Sequence, residues 1–178
     1  MITSENRPAR PSTGVAAEDV LRRTLRRHAA GVTVITVPGP AGFTATSFTS
    51  VSLRPPLVSF CLGLGASTAP AVHAADRFAV HLLGTQNAEV ARQFALSGTD
   101  RFQGVDWTEH ADGLPVLGDV PAWLIARVTL RQPVGDHLLV VGEVEAGEVH
   151  QDATALVHHD GAFAAARPLL PPPIRRAS

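Results

Sequence analysis

Between residues 18 and 29 the apolar positions fall on one face of a helix: Val20, Leu21, Thr24, Leu25 and His28 align, with Arg22, Arg23, Arg26 and Arg27 mostly opposite. This spacing predicts an amphipathic helix over Glu18 to Ala29, ended by Gly31. There the period changes. Val32 to Val37 is a β-branched run that reads as a strand, stops at the turn Pro38-Gly39-Pro40 and continues naturally as a hairpin into Phe43 to Phe48. Further strands are expected at Ser50 to Leu53, Leu57 to Leu62, Phe78 to Leu83, Trp123 to Leu130, Leu138 to Val149 and Ala162 to Ala165. In the Trp123 strand, Leu124, Ala126, Val128 and Leu130 alternate with Trp123, Ile125, Arg127 and Thr129, the mark of a half-buried antiparallel strand. Two short helices are expected between strands, Ala69 to Ala75 and Asn87 to Ala95, the second with Val90, Ala91 and Phe94 as its apolar face. So few helices exclude a repeating βαβ sheet. The pattern predicts a mainly β protein, a closed antiparallel barrel with peripheral helices.

With 178 residues and 45% hydrophobic content the chain fits one domain with a sizeable core. That domain is expected over residues 15–166. Pro8, Pro11, Ser12 and Gly14 mark residues 1–14 as a flexible tail, and Pro168, Pro171, Pro172, Pro173 and two adjacent arginines do the same for 167–178. A formal net charge of -1 supplies no basic field, so nucleic acid is not an expected partner. No apolar run approaches the roughly 20 residues of a membrane helix, and Met1 to Pro11 has no apolar stretch of a secretory signal, so no membrane association and a cytoplasmic location are expected. The single cysteine, Cys61, stands in an apolar run where a small buried hydrophobe is the default.

Gly42 to Pro56 packs an unusual number of hydroxyls into a segment that also reads as strand: Thr44, Thr46, Ser47, Thr49, Ser50 and Ser52. Small side chains let a planar ligand approach the backbone, where amides and hydroxyls bond to a polar ring edge or a phosphate. The alternative is a strand rich in Thr and Ser for β propensity alone. Gly63-Leu64-Gly65-Ala66-Ser67-Thr68 follows a strand and precedes a helix, as a dinucleotide fingerprint would, but Thr68 replaces its last glycine and no βαβ repeat surrounds it. A Gly-rich turn carrying Ser67, Thr68 and free amides to a helix N-terminus still suits a phosphate; simple helix capping is the other reading. Gly135-Asp136-His137 lies at a turn between two strands, ordinary hairpin chemistry except for His137 at the strand start. His150, His158, His159 and Asp160 lack the spacing of metal ligands, and no metal site is expected. Ser59 and Cys61 have no neighbouring base, which leaves nucleophilic catalysis without support.

Taken together, Gly31 to Thr36, Gly42 to Pro56, Pro55 to Leu62, Phe78-Ala79-Val80-His81-Leu82-Leu83, Gln93-Phe94-Ala95, Asp100-Arg101-Phe102, Gly135-Asp136-His137 and Gly142-Glu143-Val144 resemble the short-chain flavin reductase family. These are flavin reductase-like, FMN-binding split-barrel proteins. The resemblance runs in the family's order over roughly residues 20–166. It implies an antiparallel split β-barrel and an NAD(P)H:flavin oxidoreductase that reduces FMN or FAD and supplies reduced flavin to a separate flavin-dependent monooxygenase. It also implies a homodimer whose second subunit completes the flavin groove. Thr44, Ala45, Thr46 and Ser47 would line the isoalloxazine edge, Ser50, Val51 and Ser52 would continue that contact, and Ser67 and Thr68 would take the phosphate. His137 would position the nicotinamide of NADH or NADPH as the catalytic residue. Arg101 and Phe102, in an acidic-basic-Phe motif, would close over the flavin; a surface ion pair with one anchoring Phe is the plainer reading.

The chain departs from many relatives in two places. Between Gly63 and Val72 there is no Lys or Arg, so the phosphate charge would rest on hydroxyls, amides, a helix dipole and a more distant arginine. Near the last strand, where relatives carry a tyrosine, it has His158 or His159 and Phe163, and it has no tyrosine anywhere. The same barrel also admits a flavin-binding module without activity, or a flavoenzyme that keeps FMN bound and acts on an organic substrate.

Overall fold

The computed structural model describes residues 16–150 and 152–169. The tail expected at residues 1–14 lies outside them, as does residue 170 onward. Helix α1 (Ala17–Leu25) leads into β1 (Ala30–Gly31), β2 (Thr33–Val37), β3 (Ala41–Ala45), β4 (Thr49–Leu53) and β5 (Pro56–Gly63). After α2 (Ala69–Ala74) come β6 (Arg77–Leu82), α3 (Ala88–Ala95), β7 (Trp107–His110) and β8 (Leu114–Leu117). The long strands β9 (Ala122–Val134) and β10 (His137–Val149) follow, then β11 (Leu156–His159) and β12 (Ala162–Ala165). The mainly β, antiparallel architecture with few helices is the one the sequence predicts.

Seven strands form one sheet in the order β3-β2-β6-β9-β10-β5-β4. Its two edges, β3 and β4, are joined by Thr46, Ser47 and Phe48 alone. Four peptide steps reach at most about 14 Å, so the edges must approach one another and the sheet curls into a barrel. The Ser47 hydroxyl bridges the split, donating to the Cys61 carbonyl and accepting from the Cys61 N–H, each at 3.0 Å. A side chain thus takes the place of a missing ladder partner on β5.

Inside the barrel Ile35, Phe43, Val58, Phe60, Leu62, Phe78, Val80, Leu138 and Val140 form the main core. Phe60 meets Phe78 edge-on at 5.0 Å between ring centres. Gly142 on β10 faces Phe78 because nothing larger fits; a Cβ there would lie 2.5 Å from Phe78 Cε1. Outside the barrel α3 covers a second core with Val32, Val34, Leu83, Ala91, Phe94, Phe102, Leu117, Val120 and Leu156. β2 is therefore buried on both faces. The sheet's polar rim carries a charge network: Arg77 and Arg127 stand opposite each other across β6 and β9, and Glu145, at an irregularity in β10, pairs with both at 2.7 and 3.2 Å.

The helix expected to reach Ala29 stops at Leu25. The Arg26 carbonyl accepts the Asp160 N–H from the β11–β12 turn, and Arg26 Nε pairs with Asp160 Oδ1 at 3.2 Å, which pulls the chain out of the helix. α1 buries none of its residues; Val20, Leu21 and Leu25 are 52%, 58% and 55% exposed. Four strands absent from the expected set are β1, β7, β8 and β11. The alternation read in β9 also needs correction: Ile125 and Ala126 are adjacent and both buried, because β8 packs Leu114 and Val116 onto the face of Ile125.

Between these layers lies one fully buried titratable ring. His81 on β6 donates from Nδ1 to the Val34 carbonyl of β2 and accepts at Nε2 from the Leu117 N–H of β8, each at 3.0 Å. Both partners together fix the neutral ring with its proton on Nδ1. Desolvation pushes its pKa down from 6.5 to about 4.

Candidate functional site

β5 is the ruler of the site. Val58, Phe60 and Leu62 point into the barrel, so Leu57, Ser59, Cys61 and Gly63 face the other way. Along that outward face Thr49 of β4 pairs with Ser59, Ser47 clasps Cys61, and His137 of β10 pairs with Gly63. Each step of two residues advances roughly 7 Å. Beyond Gly63 the chain turns through Leu64 to Ser67 and Thr68. The Leu64 N–H is held by the Asp136 carbonyl, which ties this turn to the Gly135-Asp136 hairpin. Cys61 is half-buried on this outward face rather than inside the core.

The positive charge missing from the Gly63–Val72 loop is delivered from elsewhere in the chain. Arg101 Nη2 donates to Ser67 Oγ at 3.2 Å, Nη1 donates to the Gly42 carbonyl at 2.9 Å and Nε to the Leu96 carbonyl at 2.6 Å. Three of five guanidinium protons are used in this way, leaving one on each terminal nitrogen. Arg101 borders a cleft of about 200 Å³ lined also by Gly42, Ser67, Thr68, Thr99 and Asp100, whose Oδ1 accepts the Phe102 N–H at 3.0 Å. Thr68 stands at the start of α2, but its hydroxyl does not cap that helix. No hydrogen bond from the Thr68 hydroxyl, or from the N–H groups of Gly65, Ser67 and Thr68, is made among the described residues. A guanidinium, two hydroxyls and unspent amides form a donor set that fits a phosphate.

The expected isoalloxazine-edge residues divide by the face they present. Thr44 turns outward, where its hydroxyl donates to the Ala91 carbonyl of α3 at 2.6 Å, and Ala45 belongs to the core, so their side chains are taken. Thr46 and Ser47 are exposed and line a groove of about 570 Å³ with Leu25, His28, Phe48 and His158. Ser50 and Val51 are exposed on the edge strand β4, and Ser52 Oγ accepts the Arg54 N–H at 3.1 Å. Phe102 is turned inward: its ring packs on Phe94 at 5.0 Å and Trp107 at 5.4 Å, where it anchors the loop that carries Arg101. It also borders the Arg101 cleft.

His137 opens β10 with half of its side chain exposed, and its Nδ1 lies 2.6 Å from Asp136 Oδ1. The hydrogen bond to His137 and its charge hold the Asp136 carboxyl below the ordinary range. Between His158 and His159, the former faces the Thr46 groove and stacks edge-on against Phe163 at 6.1 Å between ring centres. Strand alternation carries that distinction, since neighbours on β11 point apart. The roles of His28, of the Gly42 and Leu96 carbonyls and of Gln93 escape a reading by residue type; two of these are backbone groups, and the other two emerge only from tertiary contacts. Among the described residues no group of His, Cys, Asp and Glu is arranged to hold a metal ion.

The open barrel with an anion-suited cleft at the end of β5 defines the class. Residues 25–167 match the flavin reductase like domain, and the chain belongs to that family. It is 44% identical over 166 residues to the NADH:FMN oxidoreductase of Rhodococcus erythropolis, covering 89% of this chain and 86% of the relative. The NADH:FAD oxidoreductase of Streptomyces globisporus C-1027, solved with NAD and FAD fragments, superposes with a TM-score of 0.80 at 35% identity, covering 86% and 94% of the two chains. The flavin reductase component of a bacterial two-component tryptophan halogenase gives 0.77 at 34% identity, covering 83% and 97%.

Proposed function

We propose that this protein is an NADH-dependent flavin reductase that reduces FMN or FAD and releases the product to a separate flavin-dependent monooxygenase. The observation that carries this reading is the Arg101 guanidinium against Ser67, a cationic site assembled from two distant segments at the end of the β5 face. Bound flavin would supply the two-electron acceptor for the hydride of nicotinamide C4, with NAD⁺ and, after uptake of a solvent proton, reduced flavin as products.

The protein's own part is placement. Arg101, Ser67, Thr68 and the free amides hold the phosphate, and Thr46, Ser47 and the β4 edge with Ser50, Val51 and Ser52 border the ring. His137 orients the nicotinamide from the far side of Gly63, with Asp136 fixing its imidazole. No proton transfer by a side chain is required.

The active form is a homodimer acting in the cytoplasm, folded as one domain over residues 15–166. Two features support the dimer. The grooves at Thr46 and at Arg101 are separate, shallow depressions in one chain, and α1 with Val51 and Leu53 of β4 presents apolar surface that one subunit leaves uncovered. Among the described residues no helix is long and apolar enough to cross a membrane.

NADH oxidation measured with FMN, FAD and riboflavin in turn tests the activity. Multiple turnovers with a phosphorylated flavin in excess over enzyme are expected. Stoichiometric flavin binding with no NADH oxidation overturns it.

A further inference from the structure

From Leu96 to Asp106 the chain has neither helix nor strand, yet it carries the one arginine that reaches Ser67 among the described residues. Gly98 and Gly104 stand in the left-handed region at φ +75° and +72°, so the loop turns sharply on both sides of Arg101. A loop of this kind has to be held by side chains. Gln93, on the last turn of α3, donates both protons of its Nε2 amide into it, to the Arg101 carbonyl at 2.9 Å and to the Gln103 carbonyl at 2.8 Å.

We propose that Gln93 is the positioning residue for Arg101: its amide ties the loop to α3 and so presets the guanidinium for the phosphate of the flavin. This rests on the flavin-reductase reading above. Phe102 anchors the loop through its buried ring, and its own peptide groups are held inside the loop, the N–H by Asp100 Oδ1 at 3.0 Å and the carbonyl by the Val105 N–H at 3.1 Å, but none of these hydrogen bonds ties the loop backbone to α3. Gln93 supplies that tie by gripping the carbonyls of Arg101 and Gln103. α3 is itself fixed to β3, through the Thr44 hydroxyl on the Ala91 carbonyl and through Phe94, whose Cε1 lies 2.8 Å from where a Cβ on Gly42 would be. Arg101 then returns to β3 by donating to the Gly42 carbonyl. The path from β3 to α3 to the loop and back to β3 is closed, and Gln93 is its hydrogen-bonded link. A guanidinium held before the ligand arrives avoids an ordering cost on binding.

The test uses Gln93→Met, which keeps volume and helix propensity without the two donors, and Gln93→Glu, which sets a carboxylate against two carbonyls. FMN and riboflavin affinities are measured by fluorescence titration for these variants, for Arg101→Ala and for the double variant Gln93→Met/Arg101→Ala. Loss of the two hydrogen bonds is expected to weaken FMN by about tenfold, leave riboflavin within about twofold, and add nothing once Arg101 is gone. Gln93→Glu weakens FMN at least as much. Equal loss for both flavins, or no loss for either, overturns the positioning role. If Arg101→Ala itself leaves the preference for FMN over riboflavin unchanged, the phosphate assignment falls, and this role with it.

Discussion

Arg101 Nη2 donates to Ser67 Oγ at 3.2 Å, although the two residues stand 34 positions apart in sequence. The loop after β5 borrows its cation from the segment after α3. Replacing Arg101 with Ala should therefore cost FMN far more than riboflavin, by about 1.5–3 kcal/mol for a charge-assisted contact, roughly tenfold or more in Kd. Ser67→Ala with Thr68→Ala should show the same bias toward FMN. Equilibrium titration with both flavins checks it, and equal losses place the phosphate elsewhere.

His137 contacts Asp136 and otherwise faces outward, so its removal leaves the core intact. His137→Ala is expected to slow flavin reduction by about ten- to a hundredfold through loss of hydride-donor alignment, while flavin affinity changes little. Rapid-reaction reduction of flavin-loaded protein at saturating NADH is the measurement; an unchanged rate constant and NADH affinity would return His137 to a turn residue.

The buried His81 ring makes stability fall on mild acidification. Its folded pKa is depressed to about 4 from 6.5. Above pH 6.5 neither state is protonated; as pH falls from there toward 4, the unfolded chain alone takes up the proton. Stability is therefore full above 6.5 and lost progressively below it, by about 2–3 kcal/mol between pH 7 and 4.5. Urea unfolding across that range should show the slope. His81→Asn, less stable at pH 7, should have most of this slope removed.

Two glycines separate packing from ligand approach. A methyl group on Gly142 would lie 2.5 and 2.7 Å from Phe78 Cε1 and Cζ and 3.0 Å from Ala126 Cβ, whereas one on Gly65 meets nothing within 4 Å. Gly142→Ala should lower stability by about 1–3 kcal/mol. Gly65→Ala should leave thermal unfolding nearly unchanged. Differential scanning calorimetry of both variants, and flavin titration of the second, test the distinction.

The apolar face of α1 predicts self-association. Sedimentation at micromolar concentration should show a dimer, and charged replacements at Leu21 and Leu25 should shift it toward monomer with loss of activity. Full activity in a monomer would refute the arrangement.

What the sequence disclosed follows the length and regularity of each element. β2 and β6 announce themselves through β-branched and alternating residues, and the hydroxyl-rich segment after β3 marks the barrel seam. β7 and β8 are four residues each, joined through Asp112 at φ 64°, and β8 contains Pro115, so neither periodicity nor composition distinguishes them from a loop. Their partners explain them: Thr36 Oγ1 donates to the Pro115 carbonyl and His81 accepts from Leu117 N–H, contacts that exist only after β2 and β6 are paired. At the site, Ser67, Arg101 and His137 stand in recognisable motifs. That Arg101 meets Ser67 does not show in the sequence, because the guanidinium is steered there by the Gly42 and Leu96 carbonyls, which any residue supplies.

The three-residue seam of Thr46, Ser47 and Phe48 also bears on the order in which the protein folds. The β2–β3 and β4–β5 hairpins are local and close early. The sheet is completed only when β10 lays His137 beside Gly63 and Val140 beside Phe60, pairings between residues more than seventy positions apart. Until then β5 lacks its β10 neighbour, while the Ser47–Cys61 clasp belongs to the β4–β5 hairpin itself. A chain without β10 thus has no strand beside Gly63, and one without β11 lacks the His158 that lines the Thr46 groove.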